Sequence, residues 1–162
     1  MRLEVESPLV ANLLPFGMAC LAVIDTNVLV SACLGSDPAN DVVRACLTGR
    51  CQPVIGAALL SEYEDVFGRA GWTQRSALSF DERSELLEIF LAACSWTRVY
   101  CGWRPNLPDE ADNHLIELAI ASGADFIVSR NLKDIARGEL RFDHLKVCDP
   151  LSFLKELESW PP

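Results

Sequence analysis

Leu21-Ala22-Val23-Ile24-Asp25 (LAVID, residues 21–25) is a short, uninterrupted apolar run closed by a carboxylate. A strand buried on both faces reads this way, because neither face has to meet water. A comparable run, Asp125–Ser129 (DFIVS), lies far along the chain. Gln52–Ile55 and Leu145–Cys148 are further strand candidates, and Thr97–Cys101 is β-like. Helical pattern fills the intervals. Helices are expected from Asn27 to Cys33, from a cap at Asn40 or Asp41 through Thr48 with a stop at Gly49, and from Ala57 to Phe67. Others are expected from Glu82 to Cys94 behind a cap at Asp81, from Ala111 to Ser122 before Gly123, from Leu132 to Ala136 and from Pro150 to Leu157. GSDPAN at 35–40 and the stretch from Gly68 to Ser79 read as loops, and Trp103–Pro108 as a connector. Strands alternating with helices of this length imply βαβ crossovers, hence an α/β fold whose parallel sheet is covered on both faces.

The whole chain has 162 residues, half of them hydrophobic, with 23 acidic against 14 basic side chains and a formal charge of −9. This is the size of one domain, and such a chain buries roughly two thirds of its unfolded surface without help from disulfides or structural metals. Disorder, collagen and solenoid architectures are excluded by composition. The acidic balance argues against a protein that coats duplex nucleic acid, which needs a broad Lys/Arg surface. It does not exclude a site that reaches phosphate through metal ions. The seven cysteines are odd in number, widely spaced and without a CxxC pair, as expected of reduced, mostly buried thiols in a cytoplasmic protein. The apolar stretch from Leu9 to Ala22 follows Glu4 and Glu6 and is broken by Asn12, Pro15 and Gly17, so it does not read as a secretory signal. No run of about 20 apolar residues exists to span a membrane. Residues 1–20 are therefore expected to be a tail, with Met18 an alternative start, residues 21–157 the folded domain, and residues 158–162 a C-terminal tail.

The informative acids are those placed where a soluble domain does not put them by default. Asp25 closes a buried strand, and the carboxyl ends of strands form the ligand crevice of open α/β sheets. It could equally be the N-cap of the next helix, and position alone does not choose. Asp112 precedes Leu115, Ile116 and Ala119 by helical spacings and so falls on the apolar stripe. A carboxylate there is costly unless paired or metal-bound, although the helix dipole compensates by about 0.3–1 kcal/mol, which keeps a capping role open. Asp109 and Glu110 could reach the same point or simply start the helix. In the helix from Ala57 to Phe67, Glu62 and Glu64 both flank the apolar face, so geometry cannot separate them, and spacing alone reads Glu62 as a surface acid. Ser129, Arg130, Asn131 and Asp134 follow the strand DFIVS; Asn131 and Asp134 form a capping-box pattern, or else Ser129, Asn131 and Asp134 edge the same crevice as Asp25. Carboxylates converging at one sheet edge need a cation among them, and oxygen ligands suit Mg²⁺. His114 and His144 lack ligand spacing and read as surface or structural residues.

VIDTNVLVSACL at 23–34, LLSEYEDVF at 59–67, LPDEADNHLIELAIASGADFIVSRNLKDI at 107–135 and KVCDPLSFL at 146–154 together resemble a PIN domain, over roughly residues 21–157. They are similar in particular to the single-domain, VapC-like PIN proteins that serve as toxins in toxin–antitoxin pairs. The resemblance implies a Rossmann-like α/β/α sandwich with a central parallel sheet and a Mg²⁺- or Mn²⁺-dependent endoribonuclease acting on single-stranded RNA, leaving a 3′-hydroxyl and a 5′-phosphate. It assigns the first family acid to Asp25, the helix glutamate to Glu62 and the late-helix aspartates to Asp109 and Asp112. Asp25, Glu62 and Asp112 would be catalytic, and Asn131 and Asp134 would complete the metal set. Where the family usually carries an acid after Thr-Gly, this chain has Asn131 after Ser129 and Arg130, so Asp134 would supply the fourth carboxylate. Thr26 and Ser129 would position the substrate phosphate or Asp25. The partners implied are RNA, an antitoxin protein and a second copy in a homodimer, with no membrane. Arg69, Arg75, Arg104, Arg130 and Lys133 are candidates for RNA contact by location. The alternative is a catalytically weak or inactive module that binds RNA or the antitoxin. A haloacid-dehalogenase-like phosphatase needs DxDx[TV], and Asn27 stands at its second aspartate.

Overall fold

The computed structural model describes residues 19–72, 75–100, 113–135 and 142–161. Five strands, β1 (Cys20–Ile24), β2 (Cys51–Ile55), β3 (Ser95–Trp96), β4 (Phe126–Val128) and β5 (Lys146–Cys148), form one wholly parallel sheet in the order β3-β2-β1-β4-β5. Seven helices connect or follow them: α1 (Thr26–Cys33), α2 (Asp37–Leu47), α3 (Ala57–Gly68), α4 (Phe80–Ala93), α5 (Asn113–Ser122), α6 (Leu132–Ile135) and α7 (Pro150–Glu158). The fold is the α/β, PIN-like sandwich expected. α2 packs against both α4 and α7 on one side of the sheet. α5 contacts β1, β2 and β4 and carries the return from β3 to β4, which the right-handed crossover rule places on the opposite side. Chain progression reverses at β1, with β2 on one side and β4 on the other. The crevice of such a sheet lies at this reversal, outside the carboxyl ends of the strands.

The central strands are apolar because both faces are covered: Ala22, Val23, Ile24, Phe126, Ile127 and Val128 are fully buried. Their register is pinned at the amino end by Asp125, whose carboxylate accepts from Leu21 N–H (2.9 Å) while its own N–H donates to Leu21 C=O (2.8 Å). Pro53 lies within β2 opposite Ala22, at a level where β3 has not yet begun. Its carbonyl accepts from the Gln52 side chain (3.2 Å), so the side of β2 on which proline lacks a donor is the side without a ladder.

Several boundaries differ from the expected ones. α2 begins at Asp37 rather than after Asn40, because Pro38 sits in the first turn, where its missing N–H has no partner to lose. α4 is capped by Ser79, not Asp81: Ser79 Oγ accepts from Glu82 N–H (3.2 Å) and Glu82 Oε2 accepts from Ser79 N–H (2.7 Å). The stretch read as a loop after Gly68 contains a 3₁₀ turn at Ala70–Trp72, and only Ser95–Trp96, just before the β-like stretch, pairs with β2. Gly49 and Gly123 end their helices with positive φ, as the sequence indicates, and the N–H groups of Arg50 and Ala124 close back on Ala45 and Ala119. At the C-terminus, Trp160 meets Phe126 edge-on, so packing continues past residue 157. The six described cysteines are free, five of them buried. Cys101 and the expected N-terminal tail through residue 18 lie outside the described residues.

α3 is fastened to the end of β1 by the buried Tyr63, whose hydroxyl donates to Ile24 C=O and whose ring meets Phe90 of α4 at 6.1 Å. Tyr63→Phe leaves the Ile24 carbonyl without this donor and is expected to cost about 1–2 kcal/mol, read as a lower urea midpoint at unchanged slope. Ser79→Ala removes half of the capping box and is expected to cost about 1 kcal/mol in the same measurement.

Candidate active site at the switch point

Asp25 is the first residue beyond β1, and its N–H donates to Val128 C=O (2.9 Å), which locks the ends of β1 and β4 together. It occupies the N-cap position of α1, but its side chain makes no capping bond. Instead Oδ2 accepts from Ser129 Oγ (2.5 Å) and from Asn27 Nδ2 (2.9 Å). The carboxyl group thus ties the end of β1 to the end of β4, while Asp25 also stands at the N-cap position of α1. Both of these side-chain donors fall on Oδ2, and the Asn27 backbone N–H also favours the charged carboxyl.

The same few groups hold each other. Asn27 Nδ2 also donates to Ser129 Oγ (3.2 Å), Asn131 N–H donates to Ser129 Oγ (3.0 Å), and Arg130 N–H donates to Asn27 Oδ1 (3.1 Å). Ser129 is wholly buried and its N–H reaches Cys148 C=O (3.0 Å), so β5 braces the network from behind. The Arg130 guanidinium is steered by Ser31 Oγ (2.7 Å), which itself donates to Asn27 C=O (2.7 Å). The turn residues at the ends of β1 and β4 are therefore fixed by hydrogen bonds to one another across the sheet.

Glu62 enters from α3, which contacts both α1 and α5. Its Oε2 lies 2.7 Å from His114 Nε2 on α5, with both side chains partly buried. Glu64 is exposed, and Asp65 pairs with Arg69 on the surface. The two glutamates that spacing could not separate are separated by packing. The His114 ring 2.7 Å away, with help from the Thr26 hydroxyl, holds the Glu62 carboxyl below the usual range. Burial pushes Asp25 the other way, Ser129 opposes the rise, and the nearby charge of Glu62 adds to it. Two adjacent carboxylates with protonation pushed apart form a polarised pair of the kind found at chemical sites.

Thr26 is 3% exposed, and its Oγ1, though near enough to favour the charged Glu62, makes no hydrogen bond of normal geometry among the described residues. Asp25 Oδ1, Glu62 and Asn131 are oxygen donors, as a hard divalent ion prefers, and Mg²⁺ commonly takes only one or two carboxylates with water and phosphate completing its shell. The donor set therefore fits Mg²⁺ or Mn²⁺. Among the described residues no group of three His, Cys, Asp or Glu side chains is arranged to hold a metal by itself. Asp109 and Asp112 lie outside the described residues, as does the side chain of Asp134. Of the remaining expected site residues, Asp25, Thr26, Glu62, Ser129 and Asn131 all meet at this one edge.

Two participants escape sequence reasoning. His114 reads as a surface or structural residue, but its ring is the partner of Glu62; the available signal is its i, i+4 relation to the buried Leu118, which turns it inward. Asn27 reads in the sequence as a helix start and as the residue that excludes a phosphatase motif, and it proves to be the second donor to Asp25. Among the cationic candidates, Arg75 and Lys133 are exposed, Arg69 is paired with Asp65, and Arg104 lies outside the described residues.

Comparison with known proteins agrees with this fold. The PIN domain family model matches residues 22–133. The structure of VapBC2 from Rickettsia felis, bound to a DNA fragment from its promoter, superposes with a TM-score of 0.54 at 16% identity, over 80% of this chain and 98% of that one. The structure of PAE2754 from Pyrobaculum aerophilum gives a TM-score of 0.56 at 15% identity, over 88% of this chain and 92% of that one. At such identities the two structures speak for the fold alone. Curated proteins yield no match. With the family model covering most of the sheet and both carboxylate-bearing segments, the chain belongs to the PIN-domain family.

Proposed function

We propose that the protein is a Mg²⁺- or Mn²⁺-dependent endoribonuclease that hydrolyses phosphodiester bonds of single-stranded RNA, and that it is the toxin of a toxin–antitoxin pair. PIN domains are generally nucleases, which supplies the reaction class. The observation that carries the reading is Asp25: a buried carboxylate at the switch point, gripped through Oδ2 by Ser129 and Asn27, with the Glu62 charge beside it. Burial of this kind is costly without a function. The structural likeness to VapBC2 supports the antitoxin partner. A homodimer and a cytoplasmic location are part of the same proposal; among the described residues no helix is long and apolar enough to cross a membrane.

Asp25 Oδ1, Glu62 and Asn131 would hold the ion, with Asp109, Asp112 and Asp134 as the further ligands that the family resemblance assigns. When bound, it supplies a nucleophilic water at neutral pH and offsets charge on the phosphoryl oxygens. Ser129 and Asn27 keep Asp25 in one rotamer, so that Oδ1 is presented rather than searched for. His114 keeps Glu62 ionised and in place. Thr26 Oγ1, buried beside Glu62, would help to place the carboxylates, and Arg130, steered by Ser31, would meet the flanking backbone charge.

Asp25→Asn is expected to reduce Mn²⁺-dependent cleavage of a fluorescent single-stranded RNA by about 10³-fold or more, since several kcal/mol of transition-state stabilisation are at stake. Undiminished cleavage would remove the proposal. In metal-free buffer the same variant is expected to be more stable than wild type at pH 7. The folded pKa of Asp25 is raised, so its ionisation costs stability above that pKa, and the cost fades as pH falls toward the unfolded value of 3.8. The gap between the two melting temperatures should therefore close toward pH 4. Adding Mn²⁺ should raise the melting temperature of wild type and leave Asp25→Asn unmoved. His114→Ala removes the partner that lowers Glu62, so the acidic limb of the pH–rate profile should move to higher pH.

A further inference from the structure

Linked to Glu62 through His114 is a cavity of about 500 Å³, within the size range of small-ligand sites. Gly56 and Leu118 form part of its wall, where a Cβ on residue 56 would come within 3.1 Å of both Leu118 Cδ1 and Thr97 C=O. The absence of a side chain at residue 56 thus lets the extended segment after β3 lie against the start of α3. That segment brings Trp96, Arg98 and Tyr100 to the cavity. Trp96 is 54% exposed and Tyr100 84%, so two large aromatic surfaces stand in water beside a concave site. Sequence pattern alone assigns them no role.

We infer that this cavity is a nucleobase subsite that seats a base of the RNA strand flanking the cleaved phosphate. The inference rests on the ribonuclease reading for the identity of the strand. Exposed aromatic faces next to an arginine are what single-stranded nucleic acid stacks upon, since every base has a π-face. Glu117 in the lining repels phosphate and accepts from exocyclic amino or ring N–H groups, so the cavity suits the base and leaves the backbone to Arg98 at the rim. Continuity with the proposed site argues for this occupant: His114 lines the cavity and also lies 2.7 Å from the Glu62 carboxylate. A strand whose phosphate is at Asp25 and Glu62 has a neighbouring base within reach of it.

The test uses the full chain and its Trp96→Ala and Tyr100→Ala variants, both surface changes that leave the core intact. Each of the four eight-nucleotide RNA homopolymers is titrated in turn, alongside an abasic strand of equal length, with fluorescence anisotropy as readout and Ca²⁺ as the supporting ion. Wild type is expected to bind at least one homopolymer about tenfold more tightly than the abasic strand, and each variant is expected to lose about that factor. Equal affinity for homopolymers and abasic strand, or unchanged preference in both variants, overturns the subsite. Sedimentation of the same proteins reads the other occupant: a dimer that dissociates on Tyr100→Ala, with no base preference in wild type, assigns the cavity to a second copy and overturns the proposal. Cleavage assays separate this inference from the reaction itself. Base-dependent binding without cleavage keeps the subsite and removes the nuclease reading, whereas cleavage indifferent to both substitutions does the reverse.

Discussion

A carboxylate buried at the point where a parallel sheet reverses direction is the constraint around which the rest of the molecule is arranged. Asp25 sits at the end of β1 because the two central strands need an apolar body and the chain then has to turn outward between β2 and β4. Among the described residues its side chain is held by the hydroxyl of Ser129 and the amide of Asn27, neither of which carries a charge. Those two donors are in turn placed by the backbone of Arg130 and Asn131 and by β5. The polar network at the sheet edge is thus the means by which the fold tolerates one unfavourable group, and it also fixes where that group points.

The second carboxylate arrives by a different route. Tyr63 is buried between β1 and α4 and binds the Ile24 carbonyl, immediately before Asp25. Its neighbour Glu62 is thereby held over the crevice, where α5 presents His114. Packing and the proposed chemistry are coupled through adjacent residues: the tyrosine is packing, the glutamate belongs to the proposed site, and one helix carries both. The overall charge of −9 takes on a different sense in this light. Under the proposed function, part of it is gathered at Asp25 and Glu62, where it repels itself and would be offset by a divalent cation.

Much of this is legible in the sequence, for physical reasons that differ from residue to residue. The apolar runs ending in Asp25 and Ser129 declare a parallel sheet, since strands covered on both faces lack alternation. Gly49 and Gly123 declare helix ends because their positive φ excludes most side chains. What fails is local chemistry with two readings. Pro38 has the look of a loop residue and opens a helix, and Asp81 has the look of a cap where Ser79 and Glu82 form the reciprocal pair. Glu62 cannot be told from Glu64 by helical spacing, because the choice is made by α5, a partner distant in sequence. His114 escapes for the same reason: ligand spacing along the chain says nothing of a contact made between two helices. The exposed Trp96 and Tyr100 carry no periodic signal at all, because their segment pairs with β2 over only two residues.

The central claim is that Asp25 is buried in order to hold a divalent cation beside Glu62. Anomalous diffraction from crystals of the protein soaked in Mn²⁺ tests it most directly. The account expects an anomalous peak about 2 Å from Asp25 Oδ1, on the side facing Glu62, with the Ser129 and Asn27 bonds to Oδ2 preserved. Crystals in which that network is intact and manganese binds elsewhere, or nowhere, would contradict it.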